Sequence, residues 1–340
     1  MRTRRVVAAT GFAVLALALQ MIVNPEAVRA EPLEIRSNDG IVVGFDNEAP
    51  YEEGDEESYW TQERMQDAIP LDEDPPLDEE GAPGGEDGSA HLSGLLPSAV
   101  EGVSPIMEGQ VLSEPVSPRV SGGATNDPLP KTTGKVFFQR GGKDYVCSGS
   151  VINSQSKSLV LTAGHCVYGA DSGGWNSATV FVPGYRSSQR PNGTWSARRI
   201  FSYAQWVDRA DTSLDVGILQ VAPRGHRIVD QLGGNGVAYN YGHWQTGVHV
   251  WGWPAEKPYD GEEPFYCVGN TSRVPSTSDM VIGCSMTGGS SGGPWFVRME
   301  NADLGYVFAV TSRRSWEPRY LYAAPFGAGI LSLITYADGN

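Results

Sequence analysis

The sequence lacks several features that would assign it to a common functional class. After an apolar run at residues 6–23, no later segment is long and apolar enough to span a bilayer. It has no basic stripe, so nucleic acid is not an expected partner. Its four cysteines include no CxxC pair and its five histidines are scattered. This distribution predicts neither a metal site nor a cofactor.

The first 30 residues have the three parts of a secretory signal peptide. Three arginines precede the apolar run, and a Val-x-Ala cleavage site ends at Ala30. The alternative is an uncleaved membrane anchor, although the run is short and Ala-rich for a spanning helix. We therefore expect a secreted, extracellular monomer without stable membrane association.

Residues 31–125 carry most of the negative charge. They contain 23 acidic and 3 basic residues, whereas residues 126–340 contain 16 acidic and 18 basic residues. Runs such as "YEEGDEESYW" and "LDEDPPLDEEGAPGGEDG" predict a disordered or weakly ordered segment without a packed core. The segment is either a permanent solvating tail or a pro-segment that accompanies a folded domain through export.

Residues 126–340 are long enough for one domain, or for two fused halves of one. About a dozen short stretches rich in Val, Ile and aromatic residues alternate with Gly, Pro, Asn and Ser clusters. This pattern predicts an all-β barrel or sandwich. The final "FGAGILSLITYADG" predicts a short closing helix.

All four cysteines lie in this second part, at Cys147, Cys166, Cys267 and Cys284. An even number in an exported chain favours disulfides. Three pairings are possible, and sequence order favours Cys147–Cys166 and Cys267–Cys284.

Three motifs occur in a fixed order. "LTAGHC" ends an apolar strand, "SLDVGIL" follows, and "GGSSGGPWF" comes last. Together they resemble the trypsin/chymotrypsin-type serine endopeptidases, in particular secreted actinobacterial members and their glutamyl-endopeptidase relatives. The resemblance covers Lys135 to Leu333. It implies two packed six-stranded antiparallel β-barrels, with an active site in the cleft between them that acts on polypeptide substrates.

The resemblance also assigns residue roles. The nucleophile precedes Gly-Gly-Pro, which makes it Ser291 rather than Ser290. His165 takes the place of the general base and Asp215 that of its carboxylate partner. The backbone N–H groups of Gly289 and Ser291 would form the oxyanion hole.

Two other carboxylates, Asp208 and Asp211, lie just upstream of Asp215. We interpret both as loop residues, because the apolar strand begins at Asp215.

The sequence departs from the trypsin-like pattern at the residue before the nucleophile, and Cys284 lies seven residues before Ser291, farther than the corresponding family cysteine. Ser290 stands where those members carry the Asp that receives the new amino terminus after activation. "PRVSGG" resembles an activation junction, with Arg119 before Val120-Ser121-Gly122-Gly123. We expect a mature protein that begins between Arg119 and Lys135.

The substrate pocket also differs. Ser285 stands where trypsin-like members carry an Asp, and Thr311 stands where glutamyl endopeptidases carry a His. Ser312 and Arg313 follow Thr311, and Arg313 and Arg314 would either supply positive charge or face solvent. We expect weak or no cleavage after Lys and Arg, and a preference for acidic or medium-sized apolar residues.

Two other functional classes remain open. A non-catalytic binding protein would keep the protease-like barrel scaffold and the disulfides. A secreted β-domain with an adhesive or structural role would match the three motifs by chance.

Overall fold

The structure is a computed structural model, and its described residues all lie in one compact unit, Pro32–Asn340. Among these residues, no helix has the length and apolar character needed to cross a membrane. The predicted signal peptide and the junction at Arg119 lie outside the described residues. The structure describes residues 34–37, 42–46, 59–71, 109–117, 130–170, 174–275 and 277–339.

Short strands dominate the secondary structure, and the few helices are short. The strands are β1 Glu34–Arg36, β2 Val42–Asp46, β3 Ile69–Pro70, β4 Gln110–Ser113, β5 Thr133–Arg140, β6 Lys143–Val151, β7 Leu159–Thr162, β8 Tyr168–Gly169, β9 Gly174–Trp175, β10 Ser177–Pro183, β11 Trp195–Tyr203, β12 Gly217–Val221, β13 Gly236–Tyr239, β14 Val248–Gly252, β15 Phe265–Gly269, β16 Ser272–Arg273, β17 Met280–Gly283, β18 Pro294–Met299, β19 Gly305–Val310, β20 Arg313–Arg314 and β21 Tyr320–Ala323. The helices are α1 Gln62–Asp67, α2 Ala204–Arg209, α3 Ile228–Leu232 and α4 Gly329–Gly339, and a 3₁₀ turn covers Thr212–Leu214.

The first barrel is a closed ring of six antiparallel strands, in the order β5-β6-β7-β12-β11-β10. The ring closes because β11 pairs with both β10 and β12. Buried apolar residues such as Val136, Phe181 and Leu219 fill the interior.

The second barrel contains six strands whose hydrogen bonds divide into two sheets. Four of them, β15-β14-β18-β19, are consecutive in one sheet, which continues through β13 to β4. The other two, β17 and β21, are neighbours in the sheet β16-β17-β21-β20. The chain passes from one sheet to the other just after β19, where the Ser312 N–H donates to the Tyr322 carbonyl at 2.9 Å. Val250, Trp295 and Phe308 belong to the core of this barrel. The two-barrel all-β fold is therefore confirmed.

The expectation that the acidic segment has no packed core is wrong for its described parts. β2 pairs with β11, β3 with β6, and β4 with β13. Trp60 and Met65 are buried in one hydrophobic cluster with Phe137 of the first barrel. The prediction relied on the average composition of residues 31–125, which does not reveal short apolar stretches between the charged runs. The charged parts of those runs, residues 51–58 and 72–88, lie outside the described residues.

The predicted closing helix is present as α4. Its buried residues Ile330, Leu333 and Ile334 pack with Phe201 of β11 in a shared cluster. The helix therefore covers the outer face of the first barrel next to β12.

Candidate active site

His165 and Asp215 form a buried pair at the end of the first barrel. His165 lies in the turn after β7, and its Nδ1 is 2.9 Å from the Asp215 Oδ2. The His165 backbone N–H donates to Oδ1 at 2.8 Å, and the Ser312 hydroxyl donates to Oδ2 at 2.6 Å. Burial alone would raise the pKa of Asp215, but the charge of His165 and these hydrogen bonds bring it below its ordinary value. The carboxylate is therefore held ionised against the imidazole.

The turn that carries His165 is fixed from several sides. Gly164 allows the close approach to Asp215, because an added Cβ would lie 2.9 Å from the carboxylate Oδ1. The disulfide between Cys147 and Cys166 ties the turn to β6. These constraints set the orientation of the imidazole before any ligand arrives.

Arg140 and Asn176 hold the outer side of the same turn. The Arg140 guanidinium donates to the His165 carbonyl, and its Nε donates to the Asn176 Oδ1 at 2.9 Å. The Asn176 amide then donates to the Cys166 carbonyl at 2.7 Å. Sequence reasoning missed both residues, because neither stands in a motif.

Ser291 lies in the loop between β17 and β18 of the second barrel. Gly289 and Gly292 have φ values of 92° and 78°, which favour glycine. A Cβ at Gly292 would lie 2.2 Å from the Thr162 Oγ1 and 2.4 Å from the Ser148 carbonyl oxygen. The loop therefore packs directly on the end of β7, from which the His165 turn starts.

Ser148 of the first barrel holds this loop in place. Its N–H donates to the Ser291 carbonyl at 2.7 Å. Its hydroxyl donates to the Gly289 carbonyl at 2.9 Å and accepts from the Trp253 N–H at 3.0 Å. Both sides of the loop are thus fixed by one fully buried serine. The sequence could have pointed to Ser148, because Ser148 directly follows Cys147, a cysteine of a predicted disulfide.

Ser290 and Ser291 have different surroundings. The Ser290 hydroxyl donates to the Thr287 carbonyl at 2.7 Å and is used within its own loop. Ser291 follows it, before the two glycines and the strand β18.

Comparisons with known proteins agree with this geometry. The Trypsin-like peptidase domain family matches residues 147–302. The structure of the protease Anisep from Arthrobacter nicotinovorans is 32% identical, with a TM-score of 0.59 over 63% of this chain and 98% of that chain. The thermostable serine protease AL20 from an extremophilic microorganism is 31% identical, with a TM-score of 0.58 over 62% of this chain and 98% of that chain. The chain belongs to the trypsin-like serine endopeptidases.

Two further similarities are more limited. A structure of Glu endopeptidase shares the fold at 16% identity, with a TM-score of 0.52 over 68% of this chain and 99% of that chain. A curated protein of Bacillus subtilis (strain 168), named "Extracellular metalloprotease", is 38% identical over 77 residues. This last match spans 23% of the length of each chain, so the protease covers under a quarter of that relative.

The chemistry of the donors does not favour a metal site in the described part of the protease. There, the one cluster of potential ligands is Cys147, His165 and Cys166. The two sulfur atoms are bonded to each other, whereas metal coordination requires a thiolate.

The residues expected to line the substrate pocket are largely engaged with partners. The Ser285 hydroxyl lies 3.0 Å from the Tyr259 hydroxyl. The Thr311 hydroxyl accepts from the Trp295 indole at 2.9 Å. Ser312 donates to the carboxylate of Asp215 and so belongs to the His165 network.

The alternative in which Arg313 and Arg314 face solvent is corrected by the structure. Arg313 is buried and pairs with the buried Asp279. The Arg314 Nη2 is 2.9 Å from the Glu256 Oε2, and Glu256 also accepts the Gly288 N–H at 3.3 Å. Neither guanidinium simply faces solvent, and each already has a carboxylate partner.

The two alternative carboxylates lie outside the His165 pair, and Asp208 belongs to helix α2 rather than to a loop, contrary to the expectation. Asp208 makes two hydrogen bonds with Arg36, at 2.6 and 2.7 Å, and these lower its pKa. Asp211 accepts from the N–H of Ser213 at 3.1 Å and caps the 3₁₀ turn. Of the three carboxylates, Asp215 is the one that pairs with His165.

Proposed function

We propose that the protein is a secreted serine endopeptidase that cleaves peptide bonds through Ser291, His165 and Asp215. The observation that carries the proposal is the buried His165–Asp215 pair, next to a loop that holds Ser291 on the end of β7. The order of these residues in the chain, His then Asp then Ser, supports it further.

The proposed chemistry follows from the hydrogen bonds of the imidazole. With the Nδ1 proton directed at Asp215, Nε2 is the ring nitrogen that would act as the base. Ser291 Oγ attacks the scissile carbonyl and transfers its proton to Nε2. Nε2 then gives the proton to the leaving amine, which departs and leaves an acyl-enzyme that water hydrolyses. The N–H groups of Gly289 and Ser291 stabilise the oxyanion in both halves of the reaction.

The test compares the two adjacent serines. Ser291→Ala in the processed protein should lower peptide hydrolysis by about 10⁵-fold or more, with the fold retained. Ser290→Ala should have a far smaller effect, because its hydroxyl is bonded to its own loop. Hydrolysis of a fluorogenic peptide by both variants gives the result. No hydrolysis by the wild type would favour a non-catalytic binding protein, and equal loss in both variants would contradict the assignment of Ser291 as the nucleophile.

We infer a substrate pocket without a free charge. Ser285 is neutral, and both nearby arginines have acidic partners. A substrate Lys or Arg would find no carboxylate at Ser285, and a substrate Glu would compete with Glu256 for Arg314. We therefore expect medium-sized apolar residues to be preferred over acidic ones, with little cleavage after Lys or Arg. A peptide library tests this, and strong cleavage after Arg would contradict it.

We also propose that export and processing precede activity. Two disulfides suit an oxidising compartment. The match to the Anisep structure covers 98% of that chain and 63% of this one. This share of the present chain is about the length of residues 126–340. A mature form that begins between Arg119 and Lys135 would match that length. Amino-terminal sequencing of the culture-supernatant protein tests the boundary, and a start at Glu31 would contradict it.

A further inference from the structure

Residues 59–71 of the acidic segment, here called the strap, are anchored on the first barrel by an aromatic side chain. Trp60 is fully buried, and its indole N–H donates to the Ala178 carbonyl at 2.7 Å. Its ring packs on Phe137 with centroids 5.4 Å apart. Met65 and Ala68, one helical turn apart, are buried in the same cluster. The strap thus has an apolar side that fits this surface.

Polar contacts fix the same part of the strap. The Arg64 guanidinium is 2.8 Å from the Asp144 Oδ2, and the Tyr59 hydroxyl donates to Asp144 at 3.0 Å. Burial and then the hydrogen bond to Asp144 raise the pKa of Tyr59 to about 12, so its hydroxyl remains a donor. The Gln66 amide donates to the Ser188 hydroxyl at 2.7 Å.

The end of the strap reaches the nucleophile loop. β3 pairs in parallel with β6, and the Leu71 N–H donates to the Val146 carbonyl at 3.0 Å. The Leu71 carbonyl then accepts the N–H of Gly289 at 3.2 Å. The Leu71 side chain packs on the cluster that contains Cys147 and Cys166. The strap therefore brings a peptide carbonyl onto the N–H that the proposed reaction needs for the oxyanion.

We propose that the strap is an intramolecular inhibitor, and that its footprint is a peptide-binding site with a pocket for an aromatic side chain. This proposal rests on the proposed function, since it assigns a competing ligand to the proposed oxyanion hole. While Leu71 uses the Gly289 N–H, a substrate carbonyl cannot receive that hydrogen bond. Removal of the acidic segment frees both the N–H and the Trp60 pocket.

The anchor explains how a weak backbone contact can inhibit. One N–H···O bond contributes little by itself. The buried Trp60, however, holds Leu71 at a high local concentration next to Gly289. Loss of the anchor should therefore release the oxyanion hole without any change in the residues that carry out the reaction.

The test uses the intact chain before processing, with intactness checked by mass. The wild type and Gln62→Ala, an exposed position on the same helix, should label slowly with a serine-directed fluorophosphonate. Trp60→Ala should label at least about tenfold faster, because the inhibited fraction falls. After limited proteolysis removes the segment, all three proteins should label at one fast rate. That last step also shows that Trp60→Ala has folded.

The outcomes separate the two proposals. If the processed proteins do not label, the proposed function fails. If the processed proteins label, two results would overturn the strap proposal and leave the proposed function standing. One is that intact wild type labels as fast as processed wild type. The other is that intact Trp60→Ala labels as slowly as intact wild type. A cut between Leu71 and Asp72 in the intact chain would make the strap a substrate and would also overturn it.

A free peptide gives a second measurement. A synthetic peptide of residues 59–71 should inhibit the processed wild-type enzyme, and the Trp60→Ala peptide should inhibit at least about tenfold less. Equal inhibition by the two peptides would contradict an aromatic pocket.

Discussion

The first barrel closes through hydrogen bonds around its whole circumference, whereas the second is divided into two sheets. In the described part of the chain, no backbone hydrogen-bond ladder joins β15 to β17, which belong to different sheets. The disulfide Cys267–Cys284 links the two sheets at this place. The other disulfide, Cys147–Cys166, ties the His165 turn to a barrel that is already closed. Cys267–Cys284 thus stabilises the fold of the second barrel, whereas Cys147–Cys166 stabilises the position of the His165 turn.

The two barrels also hold their site residues differently. His165 and Asp215 are fixed by short charged hydrogen bonds within or close to the first barrel. The Ser291 loop depends on positive-φ glycines and on Ser148, which reaches across from the first barrel. The closed barrel therefore organises both halves of the site.

Among the variants that compare the two barrels, the largest effect is expected at the carboxylate of the first barrel. Asp215→Asn should lower kcat by about 10⁴-fold, because an amide donor at this position favours the wrong imidazole tautomer. Asp208→Asn is the matched control and should change kcat by less than about twofold, since Asp208 lies on the surface with Arg36. Steady-state kinetics of the processed variants decide the matter. A larger loss in Asp208→Asn would mean that the carboxylate has been assigned wrongly.

Ser148 tests whether the first barrel positions the second barrel's loop. Ser148→Ala removes the hydroxyl that joins the Gly289 carbonyl to the Trp253 N–H. A small displacement of the loop should lower kcat by about 10²-fold with little change in KM. Kinetics and a melting curve give the result. An unchanged kcat would show that the backbone bond from Ser148 to Ser291 is sufficient.

The disulfides test the difference between the barrels in stability. Replacing Cys267 and Cys284 by Ala should cost about 2–5 kcal/mol of unfolding free energy and increase hydrogen exchange across β15 and β17. Replacing Cys147 and Cys166 should leave exchange in the β5–β6 ladder protected, because hydrogen bonds close that barrel. Exchange that rises equally in both barrels would contradict the distinction.

The smallest effect concerns a buried lysine of the first barrel. Burial lowers the pKa of Lys135 from 10.5 to about 8, so the folded state releases its proton at a pH where the unfolded chain keeps it. Stability should therefore rise as pH increases above about 8. Relative to Lys135→Met, the wild type should gain about 1 kcal/mol between about pH 7 and about pH 9. Urea unfolding of both proteins measures this, and parallel pH curves would contradict it.

Local patterns predicted the strands that form the two barrels. Stretches such as "PWFVRM" and "DVGILQVA" contain or overlap β18 and β12, because apolar β-branched and aromatic residues lie between turn residues. The partners of Arg313 and Arg314 could not be predicted. Asp279 and Glu256 are 34 and 58 positions away, and only the folded chain brings them together. The packing of the strap on the first barrel was not predicted, because the average charge of a segment does not show whether a single tryptophan such as Trp60 is buried.

Labelling of the processed protein with a fluorophosphonate, followed by peptide mapping, identifies the nucleophile directly. We expect one label per folded chain, on Ser291, with Ser290 unlabelled. Labelling should disappear in His165→Ala and on unfolding, because the serine then lacks its base. A label on Ser290, or the absence of any label on the folded and processed protein, would show that Ser291 is not the nucleophile.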